Sequence, residues 1–87
     1  MHLHLSTWQE VESYLLRSQG IIIPIGSTEQ HGPNGLIGTD SICPTAIASH
    51  AALQADLLVG PTLALGTAQF NLKFPGTISL RPSTLMR

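Results

Sequence analysis

The chain has 87 residues, with 43% hydrophobic residues, only 10% charged residues and a net charge of −1 at pH 7. This charge provides no basic surface for nucleic acid or an anionic membrane, and the longest apolar run is too short to span a bilayer. The single cysteine excludes an internal disulfide and favours a reducing, cytoplasmic compartment. Because soluble domains carry about 25% charged residues, so low a share predicts that a partner subunit or further chain covers part of the surface.

The first predicted element is a helix over residues 6–19. Ser6 or Thr7 can cap its N-terminus, a Gln or Glu three residues later completes a capping box, and Gly20 ends it. Apolar residues recur at helical spacing and predict one buried face: Trp8, Val11 and Leu15.

The next elements predict a βαβ unit with a right-handed crossover. Residues 21–25 (IIIPI) are typical of a parallel strand buried on both faces, although Pro24 donates no ladder hydrogen bond and indicates a strand end or an irregularity. Residues 41–54 predict a helix, and 56–61 (DLLVGP) predict a second buried strand. Four apolar residues of this helix are expected to face inward: Ile42, Ala46, Ile47 and Leu53.

The last third of the chain is less regular. Residues 66–76 predict a loop, TISL at 77–80 predicts a third strand, and RPSTLMR at 81–87 predicts the start of a helix capped by Ser83. No repeat, low-complexity segment or linker divides the sequence, so we expect a single domain over residues 1–87.

Most of the chemistry lies in the glycine-rich loop at 26–40, GSTEQHGPNGLIGTD. Ligands in open α/β sheets bind outside the carboxyl ends of strands, which is where this loop begins. Glu29 and His31 are two residues apart and point the same way in an extended segment, and Asp40 follows at the entrance to a helix. Two carboxylates and an imidazole form a hard, mixed donor set that suits Zn²⁺, Mn²⁺ or Mg²⁺.

Each of these three residues also has an ordinary structural interpretation. Asp40 can serve only as the N-cap of the following helix. His31 can be a hydrogen-bonded loop histidine, and Glu29 can be a solvated acid. The residue spacing alone leaves these alternatives open.

The segment PIGSTEQHGPNGLIGTD at 24–40 resembles the signature of the creatininase family of metal-dependent amidohydrolases, and FPGTISL at 74–80 resembles a second segment of that family. The resemblance implies a three-layer α/β/α fold with a mostly parallel sheet, of which this chain is the N-terminal βαβ part. It also implies a homo-oligomer, often a hexamer. In the family these motif positions bind two divalent ions, so Glu29 would bind one ion, His31 the other and Asp40 both.

The sequence departs from the family pattern at two positions. Asn34 stands where a second His is frequent after HGP, and Asn71 stands where a His commonly precedes the Phe of FPGT. Both are candidate substrate-binding residues. The family's remaining ligands, a His in an N-G-H-G-G-N stretch and a later Glu, have no counterpart in these 87 residues.

The preferred interpretation is a metal-dependent amidohydrolase that hydrolyses a non-peptide C–N bond, in an amide, lactam or formamide, by a metal-activated water. Its cofactors would be two divalent ions per complete site, Zn²⁺ or Mn²⁺, with Mg²⁺ and Fe²⁺ as further candidates. Its partner would be a small-molecule amide. The alternative is a non-catalytic truncated remnant or interaction module that retains the N-terminal half-site. Nucleotide binding is disfavoured, because the loop has no G-x-G-x-x-G pattern and no Walker lysine.

Overall fold

A computed structural model describes all residues, 1–87. Two short strands and three α-helices follow one another along the chain, together with 3₁₀ helices at Leu3–Leu5 and Gln69–Asn71. We label them α1 (Trp8–Leu15), β1 (Ile21–Ile22), α2 (Thr39–Ala55), β2 (Leu58–Val59) and α3 (Pro82–Leu85). None of the helices is both long enough and apolar enough to cross a membrane.

The predicted βαβ unit is confirmed, and the fold class is α/β. The first strand is shorter than the predicted residues 21–25, and its predicted burial on both faces is wrong for these 87 residues, since Ile21, Ile23 and Ile25 are 45%, 50% and 65% exposed. β1 and β2 pair in parallel, with Ile21 opposite Leu58 and Ile22 opposite Val59, and α2 makes the crossover between them. The ladder breaks at Pro24, as predicted, and resumes with one parallel bridge between Ile25 and Leu63.

Helix α1 is shorter than predicted, and it buries a different residue. The capping box is confirmed: Thr7 accepts from the Glu10 backbone N–H, and the Glu10 carboxylate accepts from the Thr7 N–H. The predicted apolar face is wrong, since Trp8 is 69% exposed whereas Tyr14 is 1% exposed. The reason is a polar contact, because the Tyr14 hydroxyl accepts from the N–H of Leu58 and donates to a backbone carbonyl in the turn after α1.

The predicted inward face of α2 is also wrong for these 87 residues. All four predicted residues, Ile42, Ala46, Ile47 and Leu53, are exposed. The helix instead turns its small residues towards the sheet: Ala48 and Ala52 are buried and form the core cluster with Val59. Small side chains let the helix backbone lie close to β2, and the larger apolar side chains are left on the opposite face.

The last third of the chain lies across the βαβ unit without adding a full strand. TISL makes one antiparallel bridge, between Thr28 and Ile78, so the predicted third strand is wrong. The predicted C-terminal helix is present as α3, but Arg81 is its N-cap and Ser83 lies inside it. Pro82 begins this helix, because its missing N–H is no loss at the first helical position.

The chain exposes more surface than a closed domain of its mass. Its accessible area is 6259 Å², whereas folded monomers of this mass expose about 5,000 Å². The Cα radius of gyration is 15.6 Å, against about 12 Å for a compact domain of this length. Twenty large apolar side chains are exposed. This agrees with the expectation from composition that the surface includes area suited to being covered.

Candidate metal centre

The loop at 26–40 begins and ends at neighbouring points in space. Gly26 donates its N–H to the carbonyl of Leu63 at 2.9 Å, and this bond fixes the start of the loop to the chain that follows β2. A Cβ at Gly26 would lie 1.5 Å from the carbonyl oxygen of Asp40, so only glycine permits this approach of the loop to α2. Pro44, one turn along the helix, has no N–H to donate to that carbonyl.

The three predicted ligand residues lie together around the hydroxyl of Ser27. Ser27 Oγ is 2.9 Å from Oε1 of Glu29 and 3.0 Å from Oδ2 of Asp40. Nε2 of His31 is 3.2 Å from Oδ1 of Asp40. All four side chains are half-buried. The loop therefore brings together two carboxylates and one imidazole from residues 29, 31 and 40.

The backbone fixes which ring nitrogen of His31 faces the carboxylates. Nδ1 lies 3.0 Å from the carbonyl oxygen of Glu29 and donates to it, because a carbonyl can only accept. In the neutral ring the lone pair is then on Nε2, which points towards Asp40. The pKa of His31 is raised above 6.5, chiefly by the Glu29 carbonyl and further by the negative charge of Asp40.

Asp40 is the second residue of α2, and the helix N-cap is Gly38, so the N-cap interpretation of Asp40 is wrong. Its carboxylate points back over the loop to Ser27 and His31. The pKa of Asp40 is lowered, chiefly by the hydrogen bond from the Ser27 hydroxyl and then by the neighbouring imidazole. The helix N-terminus also favours a negative charge in this first turn.

The second oxygen of Glu29 is held from another part of the chain. Nδ2 of Asn71 donates to Oε2 of Glu29 at 2.7 Å, and Oδ1 of Asn71 accepts from Nε2 of Gln30, also at 2.7 Å. Asn71 is only 7% exposed. The oxygen and the nitrogen of the Asn71 side-chain amide thus each have a protein partner, Gln30 and Glu29 respectively. A substrate-binding role for Asn71 stays a prediction.

An open cavity of about 460 Å³ lies beside His31. Its walls come from the part of the loop between Glu29 and Asp40 and from the FPGT segment, including Gln30, Gly32, Ile37 and Phe74. Asn34 is exposed and is not part of the wall. Its substrate-binding role also stays a prediction.

The two sequence motifs contact each other directly. The N–H of Ile78 donates to the carbonyl of Thr28 at 2.9 Å, and the N–H of Gln30 donates to Oγ1 of Thr77 at 3.0 Å. These hydrogen bonds pair FPGTISL with residues 28–30, and they hold residues 28–30 in an extended conformation. Extended backbone places Ser27, Glu29 and His31 at alternating positions, on one side of the chain.

The donor set fits a divalent ion. Two ligands of one tetrahedral zinc lie about 3.3 Å apart, because Zn–N and Zn–O bonds are about 2.0–2.2 Å long. The distance of 3.2 Å between Nε2 of His31 and Oδ1 of Asp40 is close to this spacing. No group of three His, Cys, Asp or Glu side chains is arranged around one point. An ion here would therefore have two side-chain ligands from these 87 residues.

Reasoning from the sequence missed two residues of this site, Ser27 and Gln30. Ser27 lies two residues before Glu29, the spacing that was used to pair Glu29 with His31, so the same rule could have included it. Gln30 contacts Asn71, which is 41 residues away in the sequence. No local pattern indicates that contact.

Comparison with known proteins places this geometry in a family. The family profile described as creatininase, creatinine amidohydrolase, matches residues 4–87. The mycofactocin precursor peptide peptidase of Mycobacterium tuberculosis is 38% identical over 78 residues, covering 78% of this chain and 31% of the relative. The creatinine amidohydrolase of Pseudomonas putida is 33% identical over 85 residues, covering 91% of this chain and 33% of the relative.

Solved structures give the same result. A creatininase described as the Mn form superposes with a TM-score of 0.86 at 31% identity, and a creatininase variant of Zn–Zn type superposes with 0.87 at 32% identity. Each match covers 97% of this chain and 35% of the solved chain. The chain thus spans about a third of the length of the relatives that it matches.

Proposed function

This chain belongs to the creatininase family, and on that premise we propose that it supplies the N-terminal half of a two-metal hydrolase centre. Glu29 and Asp40 would hold one divalent ion, and His31 and Asp40 the other. The family's structures include Mn and Zn forms, which supports these two metals. Such ions lower the pKa of a bound water and polarise a carbonyl oxygen, the chemistry that amide hydrolysis requires.

The residues of the site have separate roles in this proposal. The carbonyl of Glu29 holds the proton of His31 on Nδ1, so Nε2 is free to act as a ligand. Ser27 donates one hydrogen bond to the pair of carboxylates and limits their movement. Gly26 lets the carboxyl end of the first strand segment lie against the start of α2, which places Asp40 over the loop.

The substrate we propose is a small-molecule amide whose non-peptide C–N bond is hydrolysed. A related creatininase structure is described as complexed with creatine, which is a small polar molecule. The cavity beside His31, about 460 Å³, is of the size that small-molecule sites have. A cytoplasmic homo-oligomer, often a hexamer in the family, remains part of the proposal. The exposed apolar surface supports the presence of some covering partner.

The observation that carries the proposal is that the carboxylates of Glu29 and Asp40 both lie at the Ser27 hydroxyl and that the imidazole of His31 contacts Asp40. The negative charges of the two carboxylates, each within 3.0 Å of one hydroxyl oxygen, repel each other, and a cation between them would relieve that repulsion. With two side-chain ligands for each ion, where catalytic zinc usually takes three from protein, these 87 residues alone would bind metal weakly. We accordingly expect no amidohydrolase turnover from the isolated chain.

Metal affinity in point variants tests the proposal. Asp40→Asn should weaken binding of Mn²⁺ or Zn²⁺ more than His31→Ala does, because Asp40 contributes to both ions. Equilibrium dialysis with elemental analysis measures the loss, and Asp56→Asn and His50→Ala are matched controls at exposed positions. Equal affinity in the wild type and Asp40→Asn would contradict the assignment.

The second candidate function is a non-catalytic interaction module, and the observation that favours it is the set of twenty exposed large apolar side chains. A module of this kind would form a stable complex through its apolar faces without binding metal at Glu29 and Asp40. The two candidates separate on one result. If self-association and partner binding persist in Asp40→Asn and the wild type takes up neither ion, the interaction module is the better description.

A further inference from the structure

A chain of side-chain amides runs from the cavity wall to Glu29. The N–H of Gly32 donates to Oε1 of Gln30 at 2.8 Å. Nε2 of Gln30 donates to Oδ1 of Asn71, and Nδ2 of Asn71 donates to Oε2 of Glu29, each at 2.7 Å. We call these three hydrogen bonds the amide relay. Gln30 and Gly32 both line the cavity beside His31.

The direction of the amide relay is fixed at both ends. A backbone N–H can only donate, so Gln30 must turn its oxygen to Gly32 and its nitrogen to Asn71. A carboxylate can only accept, so Asn71 must turn its nitrogen to Glu29. Both requirements are met by one arrangement. Reversing either amide would set two oxygens or two N–H groups against each other.

The burial pattern around Asn71 indicates that its hydrogen bonds to Gln30 and Glu29, rather than apolar packing, decide which side chain of this segment is buried. Asn71 is 7% exposed, whereas its neighbours Phe70 and Leu72 are 85% and 53% exposed. This is the reverse of the usual preference, in which apolar side chains are buried and asparagine side chains are exposed. Burial of an amide is tolerated when its hydrogen bonds are satisfied, and both polar atoms of the Asn71 side chain have partners.

We propose that Gln30 and Asn71 are positioning residues that together orient the Glu29 carboxylate for metal binding. The inference rests on the proposed role of Glu29 as a ligand. Asn71 donates to one oxygen of Glu29, and the Ser27 hydroxyl, which is shared with Asp40, lies 2.9 Å from the other, so the two contacts together restrict the plane of the carboxylate. Gln30 acts at one remove, by holding the amide of Asn71 in the orientation that donates. Partners of metal ligands often have this role, and their loss typically costs about 10–100-fold in metal affinity.

The test begins with Gln30→Met in the full chain, which keeps the length of the side chain, adds no charge and leaves Glu29 and Asn71 intact. Gln54→Met, at an exposed helical position, is the matched control. In the metal-free wild type, NMR should show one side-chain amide proton of Asn71 shifted downfield and protected from solvent exchange. Gln30→Met should remove that signature, and Gln54→Met should not.

Metal affinity supplies the second measurement. We expect Gln30→Met to weaken Mn²⁺ or Zn²⁺ binding by about tenfold. The double variant Gln30→Met/Asn71→Ala should bind no more weakly than Asn71→Ala alone, because both residues act through Glu29. Gln30→Glu is a second variant, which keeps the acceptor for Gly32 but loses the donor to Asn71. It should move the Asn71 amide signal from its wild-type position, because the new carboxylate competes with Glu29 for the Asn71 N–H.

The outcomes separate this inference from the proposed function. A wild type that binds metal, with unchanged affinity in Gln30→Met, would overturn the positioning role and leave the metal site intact. A wild type that shows the Asn71 signature but binds no ion would contradict the proposed function while confirming the amide relay. An Asn71 amide that is unaffected by both Gln30 variants, or losses that multiply in the double variant, would overturn the relay.

Discussion

The polar cluster and the apolar faces of this chain differ in how many of their side chains find partners within the 87 residues. The polar cluster consists of Ser27, Glu29, His31, Asp40 and Asn71. Every buried side-chain nitrogen and oxygen has a hydrogen-bond partner. The core cluster, in contrast, has only three buried residues, and many large aliphatic side chains are exposed. The polar side chains of the site are therefore partnered by contacts between two motifs within these residues, whereas the large apolar side chains on the faces are left uncovered by them.

The largest effect we expect comes from Gly26→Ala, which would break the polar cluster at its base. The added Cβ would lie 1.5 Å from the Asp40 carbonyl oxygen, so either the loop or α2 must move. We expect the free energy of unfolding to fall by at least about 3 kcal/mol, measured by urea denaturation. Gly66→Ala is the control, since its Cβ would meet only Ser27 at 3.9 Å. Equal stability in both variants would contradict the close approach.

A smaller effect is expected from Tyr14→Phe, which removes a hydroxyl from the buried side chain beside β2. The variant leaves the Leu58 N–H buried without its acceptor. This should cost about 1–3 kcal/mol in the free energy of unfolding. The exposed aromatic variant Trp8→Phe should change it by less than about 0.5 kcal/mol. A stability of Tyr14→Phe equal to that of Trp8→Phe would show that the hydroxyl does not support β2.

The pH dependence of His31 tests the polar cluster without breaking it. Its pKa in the folded chain is raised above 6.5, so the protonated ring stabilises the metal-free fold below about pH 6.5 and that contribution disappears as the pH rises through the raised pKa. In Asp40→Asn the pKa should fall towards 6.5 but stay above it, because the hydrogen bond to the Glu29 carbonyl remains. Titration by NMR measures both values, and an unchanged pKa in Asp40→Asn would contradict the contact between the two side chains.

The same group sets the pH dependence of metal binding. An ion at Nε2 must displace the proton, so affinity should fall as the pH drops below the raised pKa of His31. Calorimetry in buffers of different ionisation enthalpy would detect the proton released on binding at neutral pH.

The smallest effect on stability is expected at the exposed apolar face of α2. Ile47→Gln and Leu53→Gln remove apolar area that is 69% and 78% exposed, so each should change the free energy of unfolding by less than about 0.5 kcal/mol. Light scattering should nevertheless show less self-association in the double variant than in the wild type. A wild type that is already a monodisperse monomer at high concentration would contradict the view that this face requires a cover.

The sequence was sufficient to predict the parts of the fold that depend on local signals. The capping box at Thr7 and Glu10, the break at Pro24 and the parallel βαβ unit all follow from residues close together in the chain. The buried faces of α1 and α2 were predicted wrongly, because hydrophobic spacing assigns large apolar residues to a core. Here a hydroxyl contact selects Tyr14, and small residues select the inner face of α2.

The site was predictable to a similar extent. Glu29, His31 and Asp40 were identified from their chemistry and from the motif that contains them, and the structure brings them together. The contacts of Asn71 with Gln30 and Glu29 were not predictable, since they join segments more than 40 residues apart. Their geometry depends on the pairing of the two motifs in three dimensions, which no local pattern records.

The most direct test of the account is the ¹⁵N NMR spectrum of the His31 ring as Zn²⁺ is added to the chain. His2→Gln and His4→Gln should be present throughout, because these two rings lie 5.8 Å apart and could bind the ion on their own. The account predicts that Nε2 of His31 shifts on binding while Nδ1 keeps its proton against the Glu29 carbonyl, and that Asp40→Asn abolishes the shift at the same Zn²⁺ concentration. A His31 Nε2 signal that does not respond to Zn²⁺, or that responds equally in Asp40→Asn, would contradict it.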